Sequence, residues 1–315
     1  MNDSSFNNLN PLKQYIGALI ENLDKTQIPK EIDLVLDGGA FNGGFGYGIV
    51  LYLKELEKLN LLKINRISGC SVGALLAVAY CINKLDSNLI LYKTILQDFR
   101  ETCFLNKLAD IIRNFINNTE FDIEILNDKL YITYYNTYTF EQEVISKYKN
   151  KEELIESLIR TSYIPYLIDK KLQYNEKYID GISPYIFPNS QTKKLFINLT
   201  TYKKLGSVFY IKNEVNVWPR LFAGILDINT FFSNSNSNSN SNSNSNSLFC
   251  SYINDWTIID HLYFQSREIL AMYIIIIIKL SLFVHKKIPE NNKYYQLFQK
   301  ISINLYKYLL EDFMI

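Results

Sequence analysis

The chain of 315 residues has few of the residue types that mark several classes of protein. Its 4 cysteines show no C-x-x-C spacing and no cluster, which argues against a zinc site and a secreted disulfide framework. Lysine and arginine number 33 against 32 acidic residues, so the basic surplus of a nucleic-acid binder is absent. Glycine (12) and proline (7) are scarce, whereas 48% of the residues are hydrophobic, which excludes disorder of the whole chain. The composition predicts a folded protein of one large domain, or of one domain plus an appendage, that binds no nucleic acid.

Two further absences concern location and chemistry. Residues 1–7 lack the basic region and apolar core of a signal peptide, so we expect an intracellular protein, cytoplasmic or peripherally attached to a membrane. Neither a calcium loop of the EF-hand type nor the G-K-[ST] ending of a P-loop is present. We therefore expect a function without a metal or another cofactor.

The first third of the chain alternates between strand and helix patterns. Residues 1–30 are interpreted as a polar lead with a short amphipathic helix. The apolar run 32–36 predicts a strand, 49–59 shows helical spacing, and a strand at 64–68 leads into an apolar helix at 74–81. This order predicts a right-handed βαβ unit with parallel strands. Further along, the patterns predict mostly helices and polar connections over 86–160, and strands at 171–179 and 194–201.

The C-terminal part has two unusual segments. Serine and asparagine alternate strictly over 233–247, and such a tract has nothing to bury, so we expect a disordered spacer. Residues 248–315 are predicted to be mainly helical and contain the apolar run 269–284 with five consecutive isoleucines, 274–278. The run reaches only about 24 Å as a helix, which is short for a bilayer. We favour a buried helix or strand here, with shallow attachment to a lipid surface and a membrane span as the alternatives.

Residues 69–73, Gly-Cys-Ser-Val-Gly, fit the G-x-S-x-G nucleophile elbow. They lie after an apolar strand and before an apolar helix, where this motif lifts a serine hydroxyl clear of a sheet. Gly69 and Gly73 allow the sharp turn, and the positive end of the helix faces the alkoxide that develops at Ser71. Ser71 is therefore the candidate nucleophile.

A glycine-rich loop follows the first predicted strand, with the sequence Asp-Gly-Gly-Ala-Phe-Asn-Gly over 37–43. Its backbone N–H groups, those of Gly38, Gly39 and Ala40, are candidates to stabilise an oxyanion. A nucleotide-binding loop is the alternative, but the strand after the helix ends in 68–71, Ser-Gly-Cys-Ser, without the acidic residue that holds a ribose. The sequence favours an oxyanion hole.

Asp180 ends a short predicted strand and precedes Gly181, which makes it the candidate base. A triad of serine, acid and histidine is the alternative. The chain has only 2 histidines, His261 and His285, and both follow the Ser-Asn tract. His261 would be the base of such a triad. A third interpretation treats residues 180–181 as a simple turn.

In combination, these motifs resemble the patatin-like phospholipase family, which has a D-G-G-G-x-[RK]-G loop, a G-x-S-x-G elbow, an intermediate block ending in proline and a D-G-[GA] block. The resemblance places these blocks at 37–43, 69–73, 161–165 and 180–182. It implies a three-layer α/β/α fold with a mostly parallel central sheet, formed by a catalytic domain over 31–205. A connection over 206–232, the Ser-Asn tract and a helical C-terminal tail would follow.

The resemblance also implies an activity. A family member of this kind is a serine lipid acyl hydrolase of the phospholipase A or lysophospholipase type, with phospholipid or lysophospholipid as substrate and no cofactor. Ser71 would form the acyl-enzyme and Asp180 would be the general base of a dyad, helped by burial that raises its pKa. The residues that support the motifs would be Asp37, Gly43, Gly69, Gly73, Pro165 and Gly181.

Three positions depart from the family pattern. Ala40 replaces the third glycine, which is tolerable if this residue does not need positive φ. Asn42 replaces the cation of the loop, so membrane binding should depend more on apolar contact than on anionic lipid. Ile182 replaces glycine or alanine. Because of these departures, a catalytically inactive lipid-binding relative is the alternative function.

Overall fold

The computed structural model describes residues 9–188, 191–211, 214, 216–234, 247–287, 292–293, 296–297, 300–301, 304 and 308. The helices are α1 (Asn10–Glu21), α2 (Gly43–Lys58), α3 (Val72–Cys81), α4 (Leu85–Thr102), α5 (Leu108–Asn117), α6 (Lys151–Thr161), α7 (Trp218–Asn234) and α8 (Ile258–Lys287). The strands are β1 (Glu31–Leu36), β2 (Lys63–Gly69), β3 (Leu130–Asn136), β4 (Glu141–Ile145), β5 (Tyr178–Ile179), β6 (Lys193–Ile197) and β7 (Cys250–Tyr252).

The strands form one sheet in the order β4-β3-β2-β1-β6-β7, with β5 paired to β3. The four strands β3, β2, β1 and β6 run parallel, whereas β4, β5 and β7 pair antiparallel with their neighbours. The fold is therefore α/β with a mostly parallel central sheet, as predicted. The predicted unit of strand, helix, strand and helix is confirmed as β1, α2, β2 and α3. Because parallel strands end at one edge, the loops after β1 and β2 lie side by side.

Both faces of the sheet are covered. Leu34 and Leu36 of β1 pack in the main hydrophobic core with helices α1 to α7. The residue between them, Val35, faces the opposite side, because side chains alternate along a strand. That side is covered by the aromatic segment 185–187, by Trp256 and by the first turns of α8. Helix α8 thus belongs to the layer opposite the main helices.

The prediction for the middle of the chain is partly wrong. Two strands, β3 and β4, lie in the region 86–160 that was predicted to hold mostly helices and polar connections. Conversely, the strand predicted at 171–179 shortens to the two residues of β5. Asn175 and Glu176 have φ values of 46° and 56°, and a strand cannot continue through left-handed backbone.

The C-terminal region is joined to the sheet, because β7 pairs with β6. The isoleucine run is helical, and the expectation of a buried element holds for one face only: Ile275 and Ile278 are buried, whereas Ile277 is 63% exposed. Among the described residues, no helix is long and apolar enough to cross a membrane. The Ser-Asn tract lies outside the described residues over 235–246.

Candidate active site

Ser71 occupies a sharp turn between β2 and α3. Its backbone has φ 50° and ψ −129°, a conformation that costs an ordinary residue about 1–3 kcal/mol, and its side chain is 6% exposed. Gly73 allows the close approach of α3 to β1, since a Cβ at this position would lie 2.4 Å from the backbone oxygen of Asp37. The structure therefore has the strained turn and the tight packing that the G-x-S-x-G motif predicts.

Asp180 follows β5 and lies at the end of the sheet beside Ser71. The preceding strand is held by pairing with β3. A Cβ at Gly181 would lie 2.0 Å from the backbone oxygen of Thr133, so only glycine permits this approach. The Oδ1 atom of Asp180 is shielded from solvent and has no hydrogen-bond partner among the described residues. A buried acceptor without a partner is an unusual arrangement, and such groups are concentrated at functional sites.

Burial raises the pKa of Asp180 from its usual range to about 7. The Ser71 hydroxyl and the Gly181 amide favour the ionised form and so lower the pKa, whereas the negative charge of Asp37 raises it further. The structure thus brings Ser71 and Asp180 together. A carboxyl group with a pKa near neutrality can accept a proton more effectively than an ordinary aspartate.

Thr161 and Tyr163, at the end of α6, connect the two halves of the site. The Thr161 hydroxyl accepts a hydrogen bond of 2.9 Å from the Ser71 amide. The backbone oxygens of Thr161 and Tyr163 accept hydrogen bonds from the amides of Gly181 (3.1 Å) and Asp180 (2.9 Å). In the sequence this block is marked by its proline, Pro165, and nothing there indicates a role for Thr161. Its hydroxyl fixes the turn that carries the serine.

The glycine-rich loop offers fewer free donors than its sequence suggests. The amide of Gly38 donates a hydrogen bond of 3.1 Å to Sγ of Cys70, a buried thiol whose pKa is raised well above its usual range by burial. The amides of Gly39 and Ala40 make no hydrogen bond within the described part of the chain, and the same holds for the amide of Val72, the first residue of α3. The loop lies against the serine turn, since a Cβ at Gly38 would lie 3.2 Å from the Cβ of Ser71.

Ala40 adopts a φ of 43°, so the condition under which alanine replaces glycine without strain is not met. A residue with a Cβ in this region costs about 1–2 kcal/mol. Two hydrogen bonds hold the next residue, Phe41: its amide donates to the Val208 oxygen (3.0 Å), and its own oxygen accepts from the Tyr92 hydroxyl (2.6 Å). The loop is kept in a strained form by its surroundings.

Asp37, the first residue of the loop, forms a buried ion pair with Arg267 of α8. The guanidinium donates two hydrogen bonds to the two carboxylate oxygens, at 2.6 and 2.9 Å. The Thr200 hydroxyl donates a third, of 2.7 Å. The C-terminal helix therefore contacts the loop through the ion pair of Arg267. The sequence pattern gave no indication of this ion pair.

A second buried arginine lies behind the loop. The Asn42 side chain accepts a hydrogen bond of 2.8 Å from Arg220 of α7 and donates one of 2.7 Å to the Leu199 oxygen. Arg220 also donates to Glu214 (2.6 Å) and to the Tyr210 oxygen (2.7 Å). A cation thus lies beside Asn42, where the family pattern places one in the loop. The guanidinium of Arg220 is hydrogen-bonded to protein groups and stabilises the position of the loop.

The histidines lie away from these groups. His261 is exposed on α8 and packs against Trp256, with the ring centroids 5.3 Å apart. None of its contacts in the described part of the chain involves Ser71 or Asp180. The side chain of His285 lies outside the described residues. Nothing in this geometry favours the histidine triad over the dyad.

The fold and the site together define an α/β protein with a serine elbow beside a buried carboxyl group. Residues 34–131 match the family model of the patatin-like phospholipases. This confirms the predicted resemblance over the segment that holds the glycine-rich loop and Ser71, and it supports a lipid acyl hydrolase class. The match ends before Asp180. No curated protein matches the chain.

Proposed function

We propose that the protein is a serine lipid acyl hydrolase in which Ser71 is the nucleophile and Asp180 the general base. The observation that carries this proposal is the pairing of the strained serine turn with a carboxyl group whose pKa is raised to about 7. An aspartate in water would have a pKa near 3.9 and would be a poor base at neutral pH.

In the first half of the reaction, Asp180 takes the proton of Ser71 while the serine oxygen attacks the ester carbonyl carbon. The negative charge that develops on the carbonyl oxygen meets the free amides of Gly39 and Ala40, since the Gly38 amide is engaged by Cys70. When the tetrahedral intermediate collapses, the bond to the alcohol breaks and Asp180 returns the proton to the leaving oxygen. An acyl-enzyme and a free alcohol result.

In the second half, Asp180 takes a proton from water while the water oxygen attacks the acyl carbon. Collapse of this intermediate breaks the bond to the serine, which recovers its proton, and releases the fatty acid. A lipid ester as the substrate is supported by the match of residues 34–131 to the patatin-like phospholipases. We therefore propose phospholipid or lysophospholipid as the substrate.

The test is labelling by a fluorophosphonate probe together with hydrolysis of lysophosphatidylcholine. Wild type should be labelled, Ser71→Ala should not, and Asp180→Asn should lose at least a hundredfold in rate. His261→Ala serves as the matched control and should retain its rate. Wild type that binds lipid without labelling or turnover would instead establish the inactive relative, and loss of activity in His261→Ala would establish the triad.

A further inference from the structure

Helix α8 has two faces of different character. Its inner face packs on the protein through Phe264, Arg267, Ala271, Ile275 and Ile278. The opposite side, called here the outer face, carries mostly large apolar residues that are 42–78% exposed, together with the exposed polar Gln265 and Ser266. The apolar residues are Ile258, Ile259, Leu262, Ile269, Leu270, Met272, Tyr273, Ile276, Ile277, Leu280, Phe283 and Val284. A helix that only borders water would have polar residues there.

The outer face has no charged residue between positions 258 and 286. At 100° per residue, Asp260 and Arg267 fall on the inner side of α8, and Glu268, Lys279 and Lys286 fall along one flank. An uncharged, mainly apolar strip of about 40 Å results, which is called here the apolar strip. Exposed apolar patches of this extent mark interaction sites.

The position of α8 indicates what this strip meets. Its inner face packs against Tyr135, Ile179 and Ile182, the residues around Asp180, and its Arg267 binds Asp37 of the glycine-rich loop. Helix α8 therefore lies beside the candidate site, and its outer face points away from the protein there. A phospholipid substrate is presented by a bilayer, and a bilayer bound to the apolar strip would lie next to a helix that contacts the site.

The flank of α8 has the amphipathic residues of a membrane border. Nζ of Lys279 lies over the rings of Tyr138 and Phe140, 4.7 and 5.3 Å from their centroids. Tyr138 is itself 60% exposed. Tyrosine and lysine side chains that join an apolar body to a polar tip are favoured at the level of lipid headgroups.

We propose that the outer face of α8 docks the protein on a lipid bilayer, with the helix lying parallel to the membrane surface. The choice of a lipid partner rests on the proposed function. The apolar residues enter the boundary between headgroups and acyl chains, to a depth of about 5–10 Å. Because the strip has no charge, neutral lipid is sufficient for docking.

The test is flotation with phosphatidylcholine vesicles, with Ser71→Ala protein so that no lipid is consumed. The triple variant Ile269→Gln, Ile277→Gln, Leu280→Gln replaces exposed residues only and should bind at least tenfold more weakly. Equal binding by the triple variant, or binding that requires anionic lipid, would overturn the proposal.

The matched control replaces exposed apolar residues elsewhere, as Leu59→Gln, Ile125→Gln, Leu205→Gln. These side chains are 45–58% exposed and lie outside α8. The control should bind vesicles as tightly as the parent protein. An equal loss of binding in the control would mean that general surface hydrophobicity governs binding, and the assignment to α8 would fall.

A tryptophan in place of Ile277 distinguishes the membrane from other occupants of the strip. The fluorescence that Ile277→Trp adds to that of the parent protein should be typical of a water-exposed indole. We expect this added emission to shift to shorter wavelength when vesicles are present. Emission at short wavelength in buffer, unchanged by vesicles, would show that the strip is covered by the chain itself or by a second copy. Light scattering would identify a second copy if the parent protein is a dimer and the triple variant is a monomer. That result would overturn the proposal.

Hydrolysis of p-nitrophenyl butyrate, a soluble ester, separates this proposal from the proposed function. If hydrolysis depends on Ser71 but the triple variant binds vesicles as tightly as its parent, the docking proposal is wrong and the hydrolase proposal is supported. If the triple variant no longer binds vesicles and no hydrolysis depends on Ser71, the docking proposal is supported and the hydrolase proposal is wrong.

Discussion

Arg267 and Asp37 form a buried, two-pronged ion pair between residues that are 230 positions apart in the sequence. Asp37 has no solvent exposure and Arg267 only 7%. Removal of one member of such a pair leaves an uncompensated charge in the interior, which costs more than the pair itself contributes. The pair therefore makes the glycine-rich loop dependent on the C-terminal helix.

Arg267→Met should lower the free energy of unfolding by about 3–5 kcal/mol, because the Asp37 carboxylate loses its partner. The double variant Asp37→Asn, Arg267→Met should lose less than Arg267→Met alone, since no buried charge is left. Urea denaturation measures both. A double variant less stable than the single one would contradict this account of the pair.

The same substitution should move the pH dependence of hydrolysis. The charge of Asp37 raises the pKa of Asp180, and Arg267 offsets that charge. In Arg267→Met, the acidic limb of the kcat/KM profile should shift to higher pH, whereas Arg267→Lys should restore it toward wild type. A loss of rate without a shift of the limb would indicate that Arg267 only supports the fold.

The wild-type profile of kcat/KM should rise through a pKa of about 7. Only the ionised carboxylate accepts a proton, so the rate should fall tenfold for each pH unit below that value. Stopped or continuous assays with p-nitrophenyl butyrate between pH 5 and 9 measure the limb. A plateau that extends down to about pH 5 would contradict the raised pKa.

Asp180→Asn should stabilise the folded protein while it abolishes hydrolysis. The folded-state pKa of Asp180 is raised from 3.8 to about 7, so the folded protein binds this proton more tightly than the unfolded chain does. The stabilising contribution of the proton is complete below about pH 4 and is lost as pH rises to about 7. At pH 8, Asp180→Asn should gain up to about 4 kcal/mol in unfolding free energy, with little gain at pH 4. An equal gain in unfolding free energy at pH 4 and pH 8 would contradict the raised pKa of Asp180.

Thr161→Val should lower kcat by about ten- to a hundredfold with little change in KM. The variant removes the acceptor of the Ser71 amide and also the donor of a 2.6 Å hydrogen bond to the Thr133 oxygen. Loss of these bonds should cost about 1–3 kcal/mol of stability. Thr161→Ser keeps the hydroxyl and is the control. If Thr161→Ser is as slow as Thr161→Val, packing of the methyl group is the cause instead.

Ala40→Gly should be neutral or stabilising by up to about 1 kcal/mol, because glycine adopts a φ of 43° without strain. The same change at Ala18, an exposed position in α1, should cost about 1 kcal/mol. Thermal or urea unfolding of the two variants gives the comparison. Equal losses at both positions would show that Ala40 is not strained.

The elements that carry the glycine-rich loop and Ser71 were predictable because their signals are local. The apolar run of β1, the glycines of its loop and the Ser71 elbow lie within about forty residues, and each strand or helix has its own pattern. Asp180 was a candidate from its place after a predicted strand and before Gly181, and the resemblance to the family strengthened that assignment. Its place beside Ser71 depends on Thr161 and Tyr163, which are far away in sequence.

Other features had no local signal. Arg267 lies in an apolar helix, and nothing near it indicates a carboxylate partner at Asp37. The strained φ of Ala40 results from contacts of the loop with later segments, which composition does not encode. By contrast, β3 had a signal that was missed: Leu-Tyr-Ile-Thr-Tyr-Tyr, residues 130–135, is rich in aromatic and β-branched residues typical of strands.

A single carboxylate binds the chain at the point where it returns to the fold after the Ser-Asn tract. Asp227 of α7 accepts hydrogen bonds from the Ser247 hydroxyl (2.7 Å) and from the amides of Leu248 (2.6 Å) and Phe249 (3.0 Å). One carboxylate thus fixes the point of re-entry, whatever the number of repeats before it. Doubling such a loop costs only about 0.6 kcal/mol. We therefore expect added repeats, or a reporter domain inserted in the tract, to cost little stability.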